Sequence, residues 1–534
     1  MTLDLPKVRA HAAERFPLQP RRVQQWLEEL PALDLAETTK RLREALELAN
    51  RQEVSAKARL ESLQLLHRAA QRSLTSLRKQ LVARSLPLSV KTQACFRLYQ
   101  DMTWELQTGY AIVARGSSGR HGWPSRHQAL SIHRALALIY DEARMAMALY
   151  QPHRPGFWKR AYALYRYGET SSTLDYAPRG GRSSQDLFLH TVLLALSHPY
   201  SLRYGELDKF AEFLRQTRPP CRILHNLSSN EAGYASYLDL ESDTPPEYAP
   251  VERIQFTPDI RTVHLTPLIE HLSQVAENSS PGLRTAITDR AAIPNALSRK
   301  LIHNLSSVPA RRFSRIPRQD HVDVVCGLSA IHAALMHARR TKTSRATGTE
   351  PTTDSAFDTG GYAVQDTAGD DRWQLWEVVN LGPGGYQLHW PHLRPCGAQV
   401  GELLAVRVVE AGQTRVYAAA VRWMQARADG YLDIGVQLVA PKVVPIHLQP
   451  EDQYLVDNLS AEPGLWLPAV KALNQPPTLI GAVGRFHPGN HVVALGSRGH
   501  YVLELSDRVE STGLFERFGY RVLQRAPQSH PSHT

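Results

Sequence analysis

The sequence predicts a multidomain α+β protein: a helical N-terminal region, a central antiparallel β-barrel and a small β-rich C-terminal module. Three observations predict it. At 534 residues the chain exceeds what one ordinary core organises, so roughly two to four domains are expected. Residues 1 to about 300 repeat apolar side chains at helical spacing among strong helix formers. From Trp373 to Val439, short apolar runs instead recur roughly every ten residues between Gly, Pro and Asp.

The helical signals come in order. Leu35–Ala49 and Val54–Leu81 read as two amphipathic helices packed antiparallel, and Gln128–Tyr150 as a third long one. Phe157–Tyr167 and Asp186–Leu196 follow, and Tyr204–Leu214 ends before Pro219 and Pro220, which cannot continue a helix. The aromatic stripe Phe157, Trp158, Tyr162 and Tyr165 reads as core. No fixed-period repeat emerges, so the succession suggests a helical array rather than a strict solenoid. The stretch 226–259 is rich in Ser, Pro, Glu and Tyr and reads as loops and short strands. Helices return at Leu265–Ala276 and Ile293–Asn304. The region 1–300 is expected to be mainly helical and to engage a partner.

Strand signals take over next. Val322–Leu328 reads as a first strand, followed by Trp373–Val379, Tyr386–Trp390, Gly401–Val409, Arg415–Trp423 and Tyr431–Val439. Tyr386–Trp390 alternates with period two, as a half-buried strand does. Between the first two strands, Ala330–Ala338 has helical spacing. Residues 341–371 then carry much Thr, Gly, Asp and Ser and few apolar groups, so a flexible insertion is expected at about 340–371. Pro441–Pro450 reads as a connector, and 450–525 as a β-rich module built from Thr478–Val483, His491–Leu495 and Tyr501–Leu505. Its glycines at 484–499 lack the Lys-Ser/Thr and following helix of a phosphate loop.

Two stretches carry the chemistry. The first is Arg311-Arg312-Phe313-Ser314-Arg315, and the second is Asn380-Leu381-Gly382-Pro383-Gly384-Gly385 between two strands. Arginine forks match phosphates by charge-assisted bidentate bonds, and match guanine O6 and N7 by the same geometry. Glycines in a turn let backbone approach closely. Together the two stretches resemble the signature of PilZ domains, an Arg-x-x-x-Arg arm followed by an Asp/Asn-x-Ser-x-x-Gly turn. Ala420-Val421-Arg422-Trp423 and Ile434–Leu438 also resemble strands of that family, so the likeness spans residues 306–441, roughly a quarter of the chain. It implies a PilZ-like barrel at 306–442 that binds cyclic di-GMP. Arg311 and Arg315 would grip phosphates and guanine faces, Arg312 would add positive field, and Asn380, Gly382 and Gly385 would contact a guanine. Gly382 departs from the pattern by standing where the family has serine, which limits affinity by about one hydrogen bond. The insertion departs too, because a typical member reaches its turn sooner.

Composition narrows the classes. The net charge of +11 and pI near 9.5 invite a nucleic-acid reading, but basic residues are interleaved with acidic ones and lack aromatic interleaving, so nucleic acid is not expected as a partner. No apolar run approaches the roughly eighteen residues of a membrane span, no secretory signal is visible, and Cys95, Cys221, Cys326 and Cys396 are scattered. These features fit a cytoplasmic protein with reduced thiols. No hydrolase, metalloprotease or kinase motif is present. His321 with Asp320 and Asp323 reads as a charged strand edge rather than a metal site. The expectation is a non-enzymatic cyclic di-GMP receptor, without metal or cofactor, whose helical region couples the ligand to a protein partner controlling motility, pili, surface attachment or biofilm formation. A PilZ-fold adaptor without nucleotide and a basic nucleic-acid-binding regulator are the alternatives.

Overall fold

A computed structural model describes residues 5–7, 16–31, 34–81, 85–117, 125–225, 233–277, 293–306, 316–343, 372–410, 413–454, 461–470, 474–496 and 499–526. The chain forms two compact units, Met1–Arg84 with Leu88–Ala310, and Ser85–Pro87 with Arg311–Thr534. The architecture is multidomain α+β, with a helical N-terminal region and closed antiparallel barrels after it.

The first unit opens with α1 (Pro20–Glu28), α2 (Leu35–Asn50), α3 (Ala56–Gln80), α4 (Val90–Gly116) and α5 (Arg126–Ala148). It continues with α6 (Phe157–Thr170), α7 (Ser184–Leu196) and α8 (Glu206–Thr217). Their starts are written in the sequence. Asp34, Ser55, Ser89 and Ser125 each accept a hydrogen bond from the backbone N–H three residues on, and Ser183 and Asp186 close a reciprocal capping box. Each such cap stabilises a helix by about 1 kcal/mol. Helix α8 stops at Arg218, which adopts φ 45° ahead of the two prolines. The stripe of Phe157, Trp158, Tyr162 and Tyr165 is buried, as a core stripe should be. Helix α4 is absent from the sequence reading because Thr103, Gln107 and Thr108 occupy buried positions and blur its apolar rhythm. A small antiparallel sheet follows, formed by β1 (Arg222–Leu224), β2 (Tyr234–Asp239), β3 (Glu247–Pro250) and β4 (Ile260–His264) in the order β1-β4-β2-β3. Helices α9 (Thr266–Glu277) and α10 (Asn295–Ser306) complete the unit.

The second unit holds β5 (Ile316–Cys326), α11 (Leu328–Thr343), β6 (Gln374–Gly382), β7 (Gly385–Trp390), β8 (Leu403–Glu410), β9 (Gln413–Ala426) and β10 (Leu432–Ala440). The strands close as β10-β7-β6-β5-β8-β9. A second closed barrel follows, from β11 (Val444–Pro450), α12 (Glu451–Tyr454), β12 (Glu462–Leu467), β13 (Thr478–Gly481), β14 (His491–Gly496), β15 (Gly499–Ser511) and β16 (Glu516–Ala526), ordered β11-β12-β13-β16-β15-β14. The expected connector 441–450 is therefore corrected. Its prolines argue against a strand, yet Val444, Ile446 and Leu448 are buried and pair with β12. One apolar core joins the two barrels. Ile331, Ala334 and Leu335 of α11 pack between Leu403, Ala405, Ala418 and Ala420 on one side and Leu465, Leu467, Ile480 and Phe515 on the other. Strands β8 and β9 are apolar on both faces for this reason. The expected flexible insertion lies mostly outside the described residues, apart from the end of α11.

One polar group stands inside the helical unit. Glu142 of α5 is fully buried, and its Oε2 accepts from Thr103 Oγ1 at 3.0 Å and Gln107 Nε2 at 2.8 Å. Burial pushes the carboxyl up to about 7, against the pull of those two donors. A raised folded value means this group favours the folded state below the ordinary carboxylate range, an advantage lost as pH rises through 7. Glu142→Gln should therefore match wild type at pH 5 and exceed it by on the order of 1–3 kcal/mol at pH 8.5. Urea unfolding followed by circular dichroism across this pH range checks it, and an unchanged pH slope in the variant would contradict it.

Candidate functional site

Strand alternation builds the site. On β6 and β7 the middle barrel turns Trp376, Val378, Tyr386, Leu388 and Trp390 inward, where all five are buried. Gln387 and His389 consequently face outward. Asn380 would point inward by parity, but the pairing slips from Val378↔Leu388 to Asn380↔Gln387. This bulge sets Asn380 beside Gln387 on the outer face, a use that bulges commonly serve near binding sites. Gly382 then pairs with Gly385 across the two-residue turn Pro383-Gly384.

The outer face continues over β10 and β9. Asp433 lies opposite His389, Gly435 opposite Gln387 and Gln437 opposite Gly385, while Trp423 lies opposite Gly435. A polar chain crosses three strands. Asn380 Nδ2 donates to Gln387 Oε1 at 2.7 Å, Gln387 Nε2 donates to Asp433 Oδ2 at 3.4 Å, and Asp433 Oδ1 lies 2.7 Å from His389 Nδ1. Asn380 Oδ1 is buried and has no hydrogen-bond partner among the described residues. An orphaned buried acceptor costs about 1–3 kcal/mol until a donor reaches it.

The floor beside this chain is bare. A Cβ on Gly435 would lie 1.8 Å from Trp423 Nε1, so the indole rests on the glycine. A Cβ on Gly385 would lie 1.9 Å from the Val436 carbonyl oxygen. The turn thus seats directly on β10, where Leu438 N donates to Gly384 O at 3.0 Å. At Gly382 no hydroxyl projects where the family's serine would supply one.

Of the six residues singled out by sequence, the structure brings Asn380, Gly382 and Gly385 together on this face. Arg311, Arg312 and Arg315 lie outside the described residues. Their attachment point is described: β5 begins at Ile316, which pairs with Leu381, and Pro317 pairs with Asn380. Sequence reasoning missed Gln387, His389, Trp423, Asp433 and Gly435 as members of the face. Their shared parity on β7, β9 and β10 is the signal that finds them. The expected charged strand edge at 320–323 is corrected: β5 is paired on both sides within a closed barrel, and its carboxylates are held by ion pairs, Asp323 with Arg407 at 2.9 Å and Asp320 with Arg318 at 3.1 Å. Among the described residues no three His, Cys, Asp or Glu side chains are grouped to hold a metal, and no helix is long and apolar enough to cross a membrane.

A closed barrel with an Asn-x-Gly-x-x-Gly hairpin on its outer face, entered by a strand that follows an Arg-x-x-x-Arg segment, defines a PilZ-domain protein, and the chain is one. Its domains match three family models in chain order. The N-terminal domain of "Cyclic-di-GMP receptor FimW" matches residues 21–228, the middle PilZ domain matches 237–371 and 341–445, and the FimW C-terminal β-barrel domain matches 456–523. The PilZ match reaches back over β2–β4, α9 and α10. The cyclic-di-GMP receptor FimW of Pseudomonas aeruginosa (strain PAO1) is 24% identical, over 96% of this chain and 92% of that one. No solved structure matches the chain.

The two glycines make different predictions. Gly385→Ala meets backbone, which cannot yield, whereas Gly435→Ala meets a side chain that can swing away. Gly435→Ala should cost about 1–3 kcal/mol and Gly385→Ala more. Thermal melts of the two variants check the ranking, and the reverse order would contradict the packing described.

Proposed function

We propose that the protein is a receptor for cyclic di-GMP, bound on the outer face of the middle barrel between residues 311–315 and the Asn380–Gly385 turn. The observation that carries this reading is the pairing of Pro317 with Asn380. It sets the start of β5, which three arginines precede in the sequence, beside an outward face that offers an orphaned acceptor and glycine floor. In this reading Arg311 and Arg315 grip the phosphates and guanine edges, and Arg312 raises the local positive potential. Asn380 Oδ1 takes a guanine N–H, and the absence of side chains at Gly382 and Gly385 lets a planar base lie close to the strand backbone.

The protein acts in the cytoplasm and without catalysis. The helical unit engages a protein partner, and ligand capture alters that engagement because the arm lies in the sequence between α10 and β5. The outputs that fit a receptor of this kind are motility, pilus function, surface attachment and biofilm formation. The likeness to a protein named as a cyclic-di-GMP receptor supports the reading.

Titration calorimetry with cyclic di-GMP tests it. Wild type should give saturable heat. Arg311→Ala/Arg315→Ala should lose about a hundredfold or more in affinity, since two charge-assisted contacts of roughly 1.5–3 kcal/mol each are removed. Absence of heat from wild type would leave the adaptor reading standing instead. Salt-steep DNA binding in place of nucleotide binding would favour a nucleic-acid regulator.

A further inference from the structure

Arg422 occupies an odd position in the middle barrel. The pairing of β9 with β10 steps from Trp423↔Gly435 to Val421↔Val436, which leaves Arg422 as the extra residue of a bulge. Its Nε donates to Gln437 Oε1 at 2.8 Å, and Gln437 is the residue paired with Gly385. The guanidinium therefore stands at the rim of the candidate site, next to the glycine turn. Its other end leaves the barrel altogether: Nη2 lies 2.7 Å from Oε1 of Glu510, on β15 of the C-terminal barrel. One side chain thus spans the ligand face and the neighbouring domain.

The strength of this pair is matched to exchange. The Arg422 side chain is 38% exposed, and ion pairs this open to water are weakly held. A phosphodiester offers the guanidinium the same bidentate charge-assisted geometry as a carboxylate. Glu510 is not stranded if Arg422 departs, because it sits opposite Arg517 across β15 and β16 and their charges interact favourably.

We propose that Arg422 is a further ligand-binding residue, held by Glu510 while the site is empty and transferred to a ligand phosphate when it fills, so that the C-terminal barrel senses occupancy. This rests on the receptor reading above. Release of the pair frees the β15 end of the β15–β16 hairpin, which becomes the segment that reports the ligand.

Calorimetry with cyclic di-GMP on the full chain separates the outcomes. Arg422→Ala should weaken binding by roughly tenfold, the loss of one charge-assisted contact. Glu510→Gln, nearly isosteric, should tighten it by about threefold or more, because the guanidinium no longer has to leave a carboxylate. The double variant should behave as Arg422→Ala alone. Amide hydrogen exchange at residues 506–511 should speed up on saturation in wild type and stay unchanged in Arg422→Ala. If wild type binds but Glu510→Gln is neutral or weaker, or Arg422→Ala is neutral, this inference falls and the receptor reading survives. If wild type does not bind, both fall.

Discussion

Closure of the middle barrel around Trp376 and Trp390 is the constraint on which the candidate ligand face depends. Both indoles are fully buried, with ring centroids 4.9 Å apart, and together they fix which residues of β6 and β7 point inward. Once they are inside, Gln387 and His389 can only be outside, since side chains alternate strictly along a strand. A slip of one residue would reverse every member of the face. Asn380 and Arg422 depend on local exceptions, each being turned outward by a bulge next to the regular pairing. The site is a regular barrel wall with two deliberate irregularities.

Another part of the same barrel meets a different requirement. Ala418 and Ala420 of β9 and Leu403 and Ala405 of β8 are covered by α11 and by residues of the second barrel. The barrel therefore has one patch covered by packing and another left open as the candidate face, which gains from being mounted on a supported body.

Much of this was readable from the residues. Period-two alternation announced the strands that flank the turn, apolar residues at helical spacing announced most of the long helices, and the glycine turn announced the hairpin. The failures have physical causes. Polar residues at the buried positions of α4 hid a long helix, and Pro445 and Pro450 hid β11. Parity along β7, β9 and β10 could have found most of the wider face, but not the placement of Asn380 and Arg422, because bulges depend on how two strands pair. Glu510, far along the chain from Arg422, meets it only through packing of the two barrels.

The shared core also bears on how such a protein can change over generations. Ile331, Ala334 and Leu335 face both barrels at once, so a chain cut after Ala440 would leave Leu335 and its neighbours on β8 and β9 open to water. Losing the last barrel would require simultaneous replacement of several apolar residues on α11 by polar ones. The heritable module here is thus the barrel pair with its intervening helix, and domain shuffling would be expected to move the two together.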